Sequence, residues 1–96
     1  MKLHNRKALK AFAQAHPDAA AQINTWVAEV EAAEWKNPHE LKNRYPKASV
    51  IGDQRTVFNI SGNKYRILTV INYQHGIVLV TQAGTHQEYD KWRIKQ

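Results

Sequence analysis

A chain of 96 residues without cysteine is long enough for one domain with one core, and neither disulfides nor thiolate metal sites are open to it. Fourteen Lys and Arg against eight Asp and Glu give a formal charge of +6, which suits an anionic partner, nucleic acid or an acidic protein. No apolar run approaches the ~20 residues that span a bilayer, and no N-terminal stretch has the form of a signal peptide, so a cytoplasmic protein with no membrane role is expected.

In chain order, residues 1–5 suit a short edge strand. Residues 6–15 carry Leu9, Phe12 and Ala13 at helical spacing. His16-Pro17-Asp18 breaks this helix and opens another over residues 18–34, where Ile23, Trp26, Val27 and Val30 make one apolar stripe. The pair should form an antiparallel helical hairpin. Asn37-Pro38-His39-Glu40 has the form of a capping box, predicting a short helix to about Arg44 that Tyr45-Pro46 ends. Residues 47–54 read as loop with a brief strand at Val50-Ile51.

From Arg55 the period becomes that of strands. Residues 55–60, 64–73 and 77–83 are rich in β-branched and aromatic side chains, separated by turn-like Ser61-Gly62-Asn63 and Gln74-His75-Gly76. The expectation is one α+β domain over residues 1–96, a helical hairpin packed on a small twisted antiparallel β-sheet. Charge divides along the chain. Residues 11–35 hold four acidic side chains and no Lys or Arg, while residues 36–66 hold seven basic against two acidic.

A first turn centred on Gly62-Asn63 pairs Ser61 with Lys64, Asn59 with Arg66 and Val57 with Leu68 on one face. Phe58, Ile60, Tyr65, Ile67 and Ile71 then point to the face that the helices cover. A second turn centred on His75-Gly76 puts Val70 opposite Thr81, Leu68 opposite Ala83 and Arg66 opposite Thr85. In that register Asn59, Ser61, Lys64, Arg66 and Thr85 share one end of one sheet face, with residues 86–91 beginning beside them.

Such a group suits a phosphodiester. Metal-independent RNA cleavage uses the RNA's own 2′-hydroxyl as nucleophile, and needs a proton acceptor, a proton donor for the departing 5′-oxygen and cations for the phosphorane. Arg66 is the natural phosphate clamp, planar and always charged, with Lys64 adding charge beside it. His86 brings an imidazole, which can serve as base or acid. Tyr89 can stack on a base or assist proton transfer. Arg55, Asn59, Asn63 and Lys91 are further candidates for contacts to the RNA. Each also has a structural reading: Lys64 and Arg66 as solvated charges, His86 as a surface residue, Asn59 and Asn63 as hairpin caps, and Tyr89 with Trp92 as the packing face of a short helix. His86, Glu88 and Asp90 offer metal-ligand types but no second cluster, and no metal or organic cofactor is expected. Trp35 and Tyr45, flanking the basic stretch, offer either an edge for single-stranded RNA or core packing.

Ala33-Glu34-Trp35-Lys36-Asn37-Pro38, Val57-Phe58-Asn59-Ile60-x-Gly62-Asn63-Lys64-Tyr65-Arg66 and Thr85-His86-x-Glu88-Tyr89-Asp90 together resemble the HigB family of bacterial type II toxins, across nearly the whole chain. The resemblance implies a RelE-like fold, with the helical hairpin on a small twisted antiparallel sheet. It implies an mRNA interferase that cuts translated messages on the ribosome, at the 30S A site, and a cognate HigA-like helix-turn-helix antitoxin. It places Lys64, Arg66, His86 and Tyr89 at or near the scissile phosphate. The alternatives are a non-catalytic RNA- or ribosome-binding module and a protein-interaction domain with an acidic partner.

Overall fold

The computed structural model describes residues 1–52, 54–62 and 64–92. Its elements are β1 (Lys2–His4), α1 (Arg6–Ala15), a 3-10 turn (Pro17–Ala19), α2 (Ala20–Ala32), α3 (Pro38–Arg44), β2 (Ser49–Ile51), β3 (Arg55–Ile60), β4 (Tyr65–Asn72), β5 (Ile77–Thr85) and α4 (His86–Asp90). Among the described residues the sheet has five strands in the order β1-β5-β4-β3-β2. It is mixed rather than purely antiparallel, because β1 runs parallel to β5, pairing Leu3 with Val78. Among these residues no helix is long and apolar enough to cross a membrane.

The apolar stripes do what their spacing dictates. Leu9 of α1 and Ile23, Trp26 and Val30 of α2 are buried against Phe58, Ile60, Tyr65, Ile67 and Ile71, the residues expected on the helix-covered face. Phe58 sits at the centre of this layer, fully buried, with Trp26 edge-on at 5.1 Å between centroids, Tyr45 edge-on at 5.2 Å and Trp35 stacked at 6.4 Å. Trp35 is therefore a core residue. Tyr45 is half-buried, and its hydroxyl donates to Glu29 Oε2 at 2.6 Å. Burial, reinforced by that carboxylate, pushes the Tyr45 hydroxyl well above its ordinary value. At α3, Asn37 caps the helix by accepting from Glu40 N–H at 2.9 Å, while Glu40 reaches back to Lys36 N–H at 2.8 Å. The 3-10 turn takes the place of the expected first turn of α2, which ends at Ala32, two residues short of expectation.

The first hairpin has the expected register, with Asn59 opposite Arg66 and Val57 opposite Leu68. The second does not. Val70 lies opposite Leu79, Leu68 opposite Gln82 and Arg66 opposite Gly84. Two causes combine. Asn72 pairs with Ile77, so a longer loop replaces the two-residue turn, and Asn72 Oδ1 accepts from His75 N–H at 3.0 Å to shape it. A bulge then leaves Thr81 unmatched between Val80 and Gln82, its hydroxyl donating to Leu68 O at 3.2 Å. The net effect exchanges Thr85 for Gly84 beside Arg66.

Because Phe58 joins α2, α3 and the sheet, Phe58→Ala should destabilise the fold by about 3–5 kcal/mol in urea unfolding. A loss under about 1 kcal/mol would show that the aromatic layer is not the keystone of the core.

Candidate active site

The pleat that sends Tyr65 and Ile67 under the helices sends Arg66 and Leu68 to the opposite face. There Ile51, Val57 and Leu68 form a small second cluster on which Tyr89 and Trp92 pack. Arg66 is only 7 % exposed, flanked by Asn59 on β3 and Gly84 on β5.

Gly84 is a glycine for a reason of space. A Cβ there would lie 2.9 Å from Cζ2 of Trp92 and 3.2 Å from Cβ of Glu88, so the chain after β5 folds tightly back over the sheet only because that atom is missing. The turn into α4 is closed by a reciprocal capping box. Thr85 Oγ1 accepts from Glu88 N–H at 3.1 Å, and Glu88 Oε1 accepts from Thr85 N–H at 2.9 Å. The Thr85 N–H holds the Glu88 carboxyl below its usual value. His86 is the first residue of α4, and its N–H donates to Lys64 O at 3.0 Å. Tyr89, three residues on, lies on the same helix face.

These constraints bring three of the expected residues together. Arg66 Nη2 is 3.3 Å from His86 Nδ1, Arg66 Nη1 donates to Tyr65 O at 3.3 Å, and Arg66 Cζ stands 5.3 Å from the Tyr89 ring centroid. A guanidinium only donates, so in this contact Nδ1 is the acceptor and the imidazole proton sits on Nε2. His86 is itself exposed and Tyr89 half-buried, so the group opens outward from a buried cation.

The other expected residues are placed differently. Lys64 does not share Arg66's face: its side chain wraps round the end of the sheet to Asp18, with Nζ 2.5 Å from Oδ2. Lying in the turn before β4, it escapes the pleat that fixes Arg66. Asn59 is half-buried directly beside Arg66. Arg55 begins the same strand, four residues or about 13 Å away. Lys91 is exposed at the end of α4. Asn63 lies outside the described residues. Two positions not singled out from sequence shape the site. Gly84 carried a signal, an isolated glycine inside a strand pattern. Asp18 read only as a favourable charge at a helix N-terminus.

Residues 19–92 match the model of a protein family described as the HigB toxin, the RelE-like toxic component of a toxin-antitoxin system. The chain is also 27% identical over 92 residues to the mRNA interferase toxin HigB of Escherichia coli K12, covering 94% of this chain and 88% of that protein. It stands in the same relation to the mRNA interferase HigB of Shigella flexneri. The matched segment includes Arg66, His86 and Tyr89.

Gly84→Val should force Trp92 and Glu88 off the sheet, so amide spectra should shift from residue 84 to residue 92 while the core signals stay. Shifts spread through the helices would contradict a local role. The Glu88 carboxyl titrates lower when folded, so its contribution is complete above the unfolded value near 4.5 and lost as pH falls through the folded one. Amide exchange at Thr85 and His86 should accelerate over that acid range, and Glu88→Gln should abolish the dependence.

Proposed function

This chain belongs to the HigB family, the RelE-like toxic components of toxin-antitoxin systems, and on that premise we propose that it is an mRNA interferase, an endoribonuclease that cuts messages as they are translated. The observation that carries this reading is the contact of buried Arg66 with His86 and Tyr89 beside the small apolar cluster of Ile51, Val57 and Leu68. The relatives' activity is consistent with it, since they are mRNA interferases.

The chemistry follows from the hydrogen-bond roles. In the resting site Arg66 caps the Nδ1 lone pair of His86. When an RNA phosphate enters, the guanidinium turns to its two non-bridging oxygens, a geometry that Arg fits in bidentate fashion. That same movement frees Nδ1, which takes the proton from the 2′-hydroxyl as that oxygen attacks phosphorus. The bond to the 5′-oxygen breaks, the departing oxygen takes a proton from Tyr89 or from water, and a 2′,3′-cyclic phosphate remains. No metal is needed for this sequence. Asn59 borders the clamp, with Lys91 and Arg55 further along the path of the strand. The helices α1 and α2 of the RelE-like arrangement lie on the far face, so substrate would reach the clamp past α4 rather than past them.

The formal charge of +6 gives the protein electrostatic affinity for ribosomal RNA. The A site would supply single-stranded mRNA already positioned, so a small cluster suffices. The setting is then the cytoplasm, and the partner that restrains the toxin is a HigA-like helix-turn-helix antitoxin.

Expression of the chain alone should arrest growth and create new 5′ ends within translated coding regions. Arg66→Ala should lower cleavage by about 10²–10³-fold and His86→Ala by about 10²–10⁴-fold. Folded protein that binds RNA and yields no new ends would replace the nuclease with a non-catalytic binding module.

A further inference from the structure

Lys64 sits two residues before Arg66, so its backbone is about 7 Å from the clamp along the strand, and its carbonyl anchors the His86 N–H. Its charge nonetheless lies on the helix side. Nζ is 2.5 Å from Asp18 Oδ2 and 5.4 Å from the Tyr65 ring centroid. Asp18 is doubly held, because the Tyr65 hydroxyl stands 2.8 Å from each of its carboxylate oxygens. The Lys64 ammonium lowers the Asp18 carboxyl, and Asp18 raises Lys64, as an ion pair requires.

From this arrangement we infer that Asp18 is an affinity-setting residue, a latch that holds Lys64 away from substrate until an RNA phosphate beside the Arg66 clamp competes for it. The proposal rests on reading the Arg66 cluster as an RNA site. Three features make the exchange easy. The side chains are 63% and 50% exposed, so the pair is weak and screened by salt. The lysine stem has the rotatable bonds to swing round the sheet end without backbone movement. Asp18 keeps the Tyr65 hydroxyl when Lys64 departs, so no carboxylate is left without a partner. The latch therefore subtracts from RNA affinity in general, and least for a strand placed to give its phosphates to Arg66 and Lys64 together. Asp18 lies just outside the segment that matches the family, residues 19–92.

The test measures binding of a fluorescent, fully 2′-O-methylated oligoribonucleotide, which cannot be cleaved, across a salt series, alongside cleavage of translated mRNA. Asp18→Asn should bind the RNA about two- to fivefold more tightly, the scale of one exposed ion pair. The gain should shrink as salt rises, because salt screens the exposed pair that holds Lys64 in the wild type, so the variant should show the steeper salt dependence. Asp18→Ser, which removes the same charge and suits a helix N-terminus, should behave alike. Lys64→Ala should weaken binding, and in Asp18→Asn/Lys64→Ala the gain should vanish. Cleavage should show the gain as a lower KM, with kcat within about twofold. Unchanged or weaker binding in both Asp18 variants, or a gain that survives loss of Lys64, would overturn the latch. Wild-type protein that binds this RNA but cuts no message would overturn the nuclease reading and leave the latch to be judged by the binding series.

Discussion

Adjacent residues Tyr65 and Arg66 are committed to opposite faces of one sheet, and the site follows from that commitment. Tyr65 and Ile67 are drawn under α1 and α2 by burial, and strand alternation then leaves Arg66 and Leu68 no choice of side. Phe58, packed among Trp26, Trp35 and Tyr45, fixes β3 in the same register, which puts Asn59 beside Arg66. A slip of one residue would expose the aromatic layer and bury the cation among the helices. The apolar core thus positions a charge on the opposite face of the sheet.

Holding a guanidinium at 7 % exposure requires partners, because a buried unpaired charge is among the most destabilising features a fold can contain. The Tyr65 carbonyl, the His86 imidazole and the Tyr89 ring supply three, from the strand itself and from α4. A carbonyl, a neutral imidazole and a ring face each stabilise the charge and yield to an anion, which binds a guanidinium more strongly than any of them. Acidic groups are close by but engaged otherwise: Glu88 caps α4, and Asp18 takes Lys64.

Legibility in the sequence tracked how strongly each feature is over-determined. The first hairpin was readable because two apolar faces and a turn agreed on one register. The α3 cap was readable because its side-chain pattern names its own hydrogen bonds. The second hairpin was not, since the bulge at Thr81 leaves no compositional mark and the loop before Ile77 is set by Asn72 bonding locally. The parallel pairing of β1 rests on three residues, too few for a period to declare itself. At the site, the side-chain chemistry of Arg66, His86 and Tyr89 is legible in the sequence, and the structure brings the three side chains together. Lys64 was misplaced because a long side chain in a turn answers to the nearest carboxylate, Asp18, which is 46 residues away in sequence.

α4 is five residues long, well below the length at which a helix is stable by itself. It stands because Glu88 and Thr85 close its first turn, because His86 N–H is bonded to Lys64 O, and because Trp92 rests against the space that Gly84 leaves. Each of these is local and partly exposed, so α4 belongs to the less stable part of the molecule while Arg66 belongs to the most stable. That division suits the chemistry. The strand must hold the clamp in place as charge accumulates on phosphorus, and once the guanidinium has turned to the phosphate His86 must adjust to accept a proton, a small displacement that a short helix on a glycine seat allows. A longer, better buried α4 would fix His86 against the guanidinium more firmly and make the base harder to release.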